Sequence, residues 1–164
     1  MPIISSEIEY RMSGGAGNAS AAASLGGAKS STAAPSGLFD TVTSGEASTG
    51  DTEYRCFYVH NANATLTLEA AKLWIQANTP SADTTLEVGL GTSAVNGVEQ
   101  TVANEGVAPS GVTFVAAADE AGAITLGDIP AGQHRAVWLK RIVTAGAVAS
   151  NDTANLRVKG DTAA

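Results

Sequence analysis

From residue 38 onward, short apolar segments alternate with clusters of Gly, Pro, Asn, Asp and Ser at the spacing of strands joined by turns. The pattern predicts strands over residues 53–61, 66–77, 84–91, 111–116, 123–129, 134–143 and 154–159, with 38–42 as a further candidate. So many short strands, with no convincing helix between them, predict an all-β chain: a β-sandwich of Ig-like or jelly-roll type rather than a parallel α/β sheet.

Three segments carry the packing argument. In 134–143, period two sets Val137, Leu139 and Val143 on one side and Ala136, Trp138, Lys140 and Ile142 on the other, the first set being the core face. In 53–59, Phe57 and Val59 oppose Tyr54, Cys56 and Tyr58, so both faces are covered and the strand is central. Between Leu126 and Gln133, Pro130 and Gly132 supply a preset φ and then a permissive one, the chemistry of a corner between two strands. The stretch 68–77 consists of good helix formers. Yet Ala71, Leu73 and Ile75 alternate, and a bulge near Glu69–Ala70 reconciles them with Leu66 and Leu68, so strand is the reading adopted.

The leader reads differently. Ser13 to Gly37 is a 25-residue run in which Leu25 is the one large apolar side chain and Lys29 the one charge. Ordering it costs about 1–2 kcal/mol per residue in backbone entropy, against roughly 1.5–3 kcal/mol for burying one Leu. Residues 1–38 are therefore expected to form a flexible, extended arm, and 39–164 the β-sandwich domain. Ile3, Ile4, Ile8, Tyr10 and Met12 make a short apolar tip with strand-like alternation. These five, with Leu25 and Trp138, are the candidate partner contacts.

Composition narrows the function. The hydrophobic fraction of 44% is inflated by alanine and only 5% of residues are aromatic, so the core is built mainly from Val, Leu and Ile. The net charge of −7 is repulsive to phosphate, which argues against nucleic acid as partner. The basic third (Arg135, Lys140, Arg141, Arg157, Lys159) reads as solvated strand positions, with an acidic neighbour as the alternative. Cys56 has no partner for an intrachain disulfide, and no apolar run approaches a membrane span. A protein made in a cytoplasm, with no membrane partner, is expected.

Candidate chemistry is sparse. Gly15-Ala-Gly17 and Gly89-Leu-Gly91 each lack the third glycine and the helix of a dinucleotide-binding turn. His60 and His134 share no motif and read as solvated strand ends, while Cys56 reads as a small buried hydrophobe. Asp51/Glu53 and Asp119/Glu120 lack the alternation of an EF-hand loop and read as solvated charge. Trp74 and Trp138 suit a sugar platform if exposed, and core or subunit interface otherwise. No catalytic residue, cofactor or metal is expected.

The segments Glu53-Tyr-Arg-Cys-Phe-Tyr-Val-His-Asn61, Thr65-Leu-Thr-Leu68, Lys72-Leu-Trp-Ile75, Gln100-Thr-Val-Ala-Asn-Glu105, Pro109-Ser-Gly-Val-Thr-Phe114 and Gly127-Asp-Ile-Pro-Ala-Gly-Gln133, leading to Ala136-Val-Trp-Leu-Lys-Arg141, together resemble small virion structural proteins of tailed bacteriophages. The resemblance covers most of the chain after the leader and extends loosely to Ser24-Leu25-Gly-Gly-Ala28. It implies a non-enzymatic decoration (cement) protein on the capsid surface of the virion, bound to the major capsid protein, commonly as a homotrimer with arms reaching adjacent subunits. A tail or baseplate subunit and a carbohydrate-binding module are the alternatives.

Overall fold

The computed structural model describes residues 2–148 and 152–162. The chain is nearly all-β. Its strands are β1 (Ile8–Met12), β2 (Gly26–Gly27), β3 (Asp51–Asn61), β4 (Leu68–Ala77), β5 (Thr84–Leu90), β6 (Glu99–Thr101), β7 (Phe114–Val115), β8 (Ile124–Ile129), β9 (His134–Val143) and β10 (Asn155–Asp161); a short α-helix, α1 (Ser44–Thr49), precedes β3, and single 3-10 turns lie at Ser5–Glu7 and Ala21–Ala23. They form antiparallel sheets in the orders β1-β3-β9-β5-β7, β10-β4-β8 and β2-β6.

The longest ladder joins β3 to β9, from Asp51↔Val143 to His60↔His134. Opposed residues of an antiparallel pair project to the same side, so Phe57 and Val59 join Val137 and Leu139 on one face, and Cys56 and Tyr58 join Ala136 and Trp138 on the other. Both faces are buried. The first meets Leu68, Leu73, Ile75, Leu126 and Ile129 of the β10-β4-β8 sheet in the main core. The second is covered by Val102, Leu25, Val112 and Phe114.

β4 is a strand despite its helical propensity, because its apolar residues fill that core. The register breaks between Leu68 and Ala71, so both face inward, and Ala70 takes up the extra length at φ 48° with its N–H donating to Asp128 Oδ1 at 2.8 Å. An L-residue in the left-handed region is strained by about 1–2 kcal/mol, while glycine loses more chain entropy on folding, about 0.5–1 kcal/mol. Ala70→Gly should therefore be neutral or stabilising by up to about 1 kcal/mol in urea denaturation. Ala70→Val should destabilise. At the predicted corner, β8 passes to β9 and so from one sheet to the other, with Gly132 at φ 71° and Gln133 N–H bonded to Pro130 C=O at 3.0 Å.

The leader is not an extended arm. β1 lies along β3 from Ile8↔Asn61 to Met12↔Phe57, and residues 30–34 close its other side through Met12 N–H to Thr32 C=O, Ser30 N–H to Met12 C=O and Ala34 N–H to Tyr10 C=O. The glycine- and alanine-rich stretch then crosses the second face of the β3–β9 sheet. Cys56 N–H donates to Ser24 C=O and Val102 N–H to Leu25 C=O, and β2 pairs with β6. Ser13, Ser24 and Ser30 are buried, with Ser13 Oγ donating to Cys56 C=O at 2.8 Å. Weighing only the leader's own apolar side chains omits what it covers: Cys56 and Tyr58 are shielded by backbone that approaches closely because its side chains are small. At Gly26, φ 94°, an added Cβ would stand 1.8 Å from Gln100 C=O.

Residues 38–42 form no strand. Leu38 is buried against the main core, and α1 follows with Thr43 as its cap, Thr43 Oγ1 accepting from Glu46 N–H while Glu46 Oε2 accepts from Thr43 N–H. No helix among the described residues is long and apolar enough to cross a membrane.

Candidate functional site

Two buried polar centres flank the β3–β9 ladder, one on each face. On the leader side, Glu99 at the start of β6 is enclosed by the loop that follows β5. Its carboxylate accepts from Thr92 N–H (3.1 Å), Thr92 Oγ1 (3.0 Å), Ser93 N–H (2.8 Å) and Trp138 Nε1 (3.3 Å). The backbone N–H of Glu99 donates to Tyr58 Oη at 3.0 Å, and Tyr58 Oη donates to Gly27 C=O at 2.5 Å, tying β6, β3 and β2 together. Burial by itself raises the Glu99 pKa, but the Ser93 and Thr92 donors outweigh it and hold the carboxyl at about 2. Burial pushes the Cys56 thiol and the Tyr58 phenol upward, so both stay protonated. Glu99, Tyr58 and Cys56 are all closed to solvent. The centre acts as a clamp, holding a loop and the leader against the sheet.

On the core side, the same strands carry Glu53, Arg55 and Arg141 on the face of Phe57 and Leu139. All three are buried. Arg141 pairs with Glu53 and donates to Asp40 C=O, with Asp40 Oδ1 at 3.2 Å, and Arg55 pairs with Glu105. The Phe39 ring lies 4.9 Å from the Arg141 guanidinium and 5.7 Å from that of Arg55, within cation–π range. Burial raises the Glu53 pKa against the opposing pull of Arg141. Among the described residues, Glu53 Oε1 and Arg55 Nε have no hydrogen-bond partner. Beside this network a cavity of about 720 Å³ opens between the sheets, walled by Tyr10, Phe39, Leu86, Leu139, Arg141 and Leu156.

Removing one member of a buried pair strands the other charge and costs about 3–5 kcal/mol, whereas apolar replacement of both is often neutral. Arg141→Met alone should lower stability by about that amount, and Arg141→Met with Glu53→Met should recover most of it, read as the midpoint of urea unfolding. Equal losses in the single and double variants would show that packing, not charge, dominates there.

The candidate partner contacts do not converge on one surface. Ile3, Ile8 and Tyr10 pack against the main core, Met12 is buried, and Leu25 leans on the Tyr58–Trp138 cluster. Trp138 is 0% exposed beneath Glu99, so it offers neither a partner contact nor a sugar platform. Trp74 is 7% exposed and lies beside the Arg157 guanidinium at 5.8 Å. Of the leader's large residues, Ile4 stands clear at 56% exposure.

The histidines are not solvated strand ends. His134 stacks edge-on against Tyr58 at 4.8 Å, with Nε2 3.3 Å from Gly97 C=O, and burial lowers its pKa. His60 lies between Glu9 Oε2 (3.0 Å) and Gly132 C=O (3.2 Å). Arg141 does face acidic neighbours, within its own chain. Glu120 pairs with Lys159 at 2.7 Å. Glu53, read as solvated charge, is buried, and Arg55 and Glu99 are buried polar residues that the sequence did not single out. A visible signal existed for the first two, which share the period-two face of Phe57 and Val59. No family model and no curated protein sequence matches the chain.

Proposed function

We propose that this chain is a non-enzymatic structural protein of a tailed-bacteriophage particle, a decoration protein that binds the major capsid protein on the outer shell, as a homotrimer, and stabilises it. The reading rests on the resemblance of its strand motifs to phage virion proteins, and the sheet order is the single structural observation that supports it. The order β3-β9-β5-β7, facing β4 and β8, has successive long strands β3, β4 and β5, and again β8 and β9, alternating between sheets. We read the two larger sheets as a β-sandwich of jelly-roll type, an architecture common in viral capsid domains. That step is an analogy of fold, which raises a functional reading without carrying it alone.

With the leader folded into the domain, attachment falls to the folded surface and not to a free arm. Quantitative mass spectrometry of purified particles tests the proposal. Hundreds of copies per particle, with loss of heat or low-salt resistance when the chain is stripped away, are the expected result. A handful of copies would move the protein to the tail or baseplate, and its absence from particles would overturn the reading. The buried Trp74 and Trp138 rings leave the carbohydrate-binding alternative without its platform.

A further inference from the structure

The turn from α1 into β3 gathers three carboxylates. Glu46 lies in the first turn of α1, Asp51 opens β3, and Glu53 follows two residues later on the same side of the strand. Gly50 turns the chain between them at φ 79°. One carboxylate oxygen from each of the three lies within 4.8 Å of the others. Oxygens that share a calcium ion at about 2.3–2.6 Å stand no farther than about 5 Å apart. The spacing is that of a common ligand sphere.

Proximity of acids is not enough, and Glu53 supplies what is missing. Its side chain is 1% exposed, Arg141 occupies Oε2, and Oε1 has no hydrogen-bond partner among the described residues. A buried carboxylate oxygen without a donor carries a desolvation penalty that no hydrogen bond among the described residues offsets. Glu46 and Asp51 form no ion pair among the described residues. The adjoining group of Asp40, Glu53 and Glu105 differs, because each of its carboxylates is already paired with Arg55 or Arg141.

We propose that Glu46, Asp51 and Glu53 bind a calcium ion, with Glu53 Oε1 as the buried ligand and water completing the solvent side, where Glu46 and Asp51 are half-buried. Calcium accepts six to eight oxygens in irregular array, which suits ligands from a short helix and a strand end, whereas magnesium demands near-ideal octahedral geometry. The ion pins α1 to the start of β3 and supplies the positive charge that Arg141 gives only to the other oxygen of Glu53.

Calorimetric titration of the chelator-treated full chain with CaCl₂ at fixed ionic strength tests this. One ion per chain is expected, with Kd on the order of 10⁻⁴–10⁻³ M, the range of modest calcium sites. The thermal midpoint should rise accordingly in about 10 mM CaCl₂. Asp51→Asn and Glu46→Gln retain acceptors for the Thr52 and Thr43 N–H groups and leave the Arg141 pair untouched. Each should weaken binding by about tenfold or more, since ligand charge sets affinity. Absence of both heat and midpoint shift in the unsubstituted chain would overturn the proposal. So would equal binding of MgCl₂, or full affinity in both variants.

Discussion

A chain lacking residues 1–33 should lose its cooperative fold rather than a dispensable arm. The deletion removes the whole β1–β3 ladder and exposes the outer edge of β3. It also takes away Leu25 and the backbone lying over Cys56 and Tyr58. Re-exposing even a few large side chains costs about 1.5–3 kcal/mol each, and the total stability of a domain is only about 5–15 kcal/mol. Loss of the near-ultraviolet circular dichroism of Trp138, with increased dye binding by exposed apolar surface, is the expected outcome. Trypsin gives the complementary test on the intact chain. Lys29, half-buried between ordered neighbours, should be cut no faster than global unfolding allows. Rapid cleavage at Lys29, with a truncated product of unchanged thermal midpoint, would restore the picture of a mobile arm.

The same comparison shows where sequence reasoning succeeds. The 134–143 strand has the limits expected of it, and the two-sided burial of 53–59 and the bulge at Ala70 follow from apolar residues that must reach a core in period two. These are properties a strand carries in its own side chains. The leader carries almost nothing in its own side chains, because it is ordered by main-chain bonds to β3 and β6 and by the area it covers on other segments. Arg141, read as a solvated strand position, is buried: it lies between Leu139 and Val143 on the face assigned to the core, and a cation there requires a buried anion. The identity of that anion was not legible, since Glu53 and Asp40 are 88 and 101 residues away in sequence. The helix α1 was not anticipated, although the capping box Thr43-Ser-Gly-Glu46 is a local signal for its start. Glu99 had no local signal, for its donors become donors only when the loop after β5 closes over Trp138.

That closure gives the Glu99 side chain a large share in stability. Glu99→Ala should lower stability by about 3 kcal/mol or more, because the half-buried N–H groups of Thr92 and Ser93 and the buried Trp138 Nε1–H lose their acceptor together, and an orphaned donor costs about 1–3 kcal/mol where it is buried. In a chain of this size that corresponds to a fall in thermal midpoint on the order of 10 °C. Glu99→Gln keeps the shape but replaces one acceptor oxygen with a donor, so it should lose somewhat less. The charge itself is isolated by pH. A carboxyl held at about 2 in the folded chain, against 4.5 as its ordinary value, binds its proton more readily when unfolded. Its contribution is therefore complete above pH 4.5 and disappears as pH falls toward 2, a change of about 3 kcal/mol in all. Urea midpoints at successive pH values across that window should fall more steeply for the parent chain than for Glu99→Gln, by up to about 1.4 kcal/mol per pH unit. Other carboxylates titrate in both proteins and cancel in the difference. Parallel acid profiles would mean that Glu99 is already protonated in the fold, and that Thr92, Ser93 and Trp138 hold a neutral acid instead of an anion.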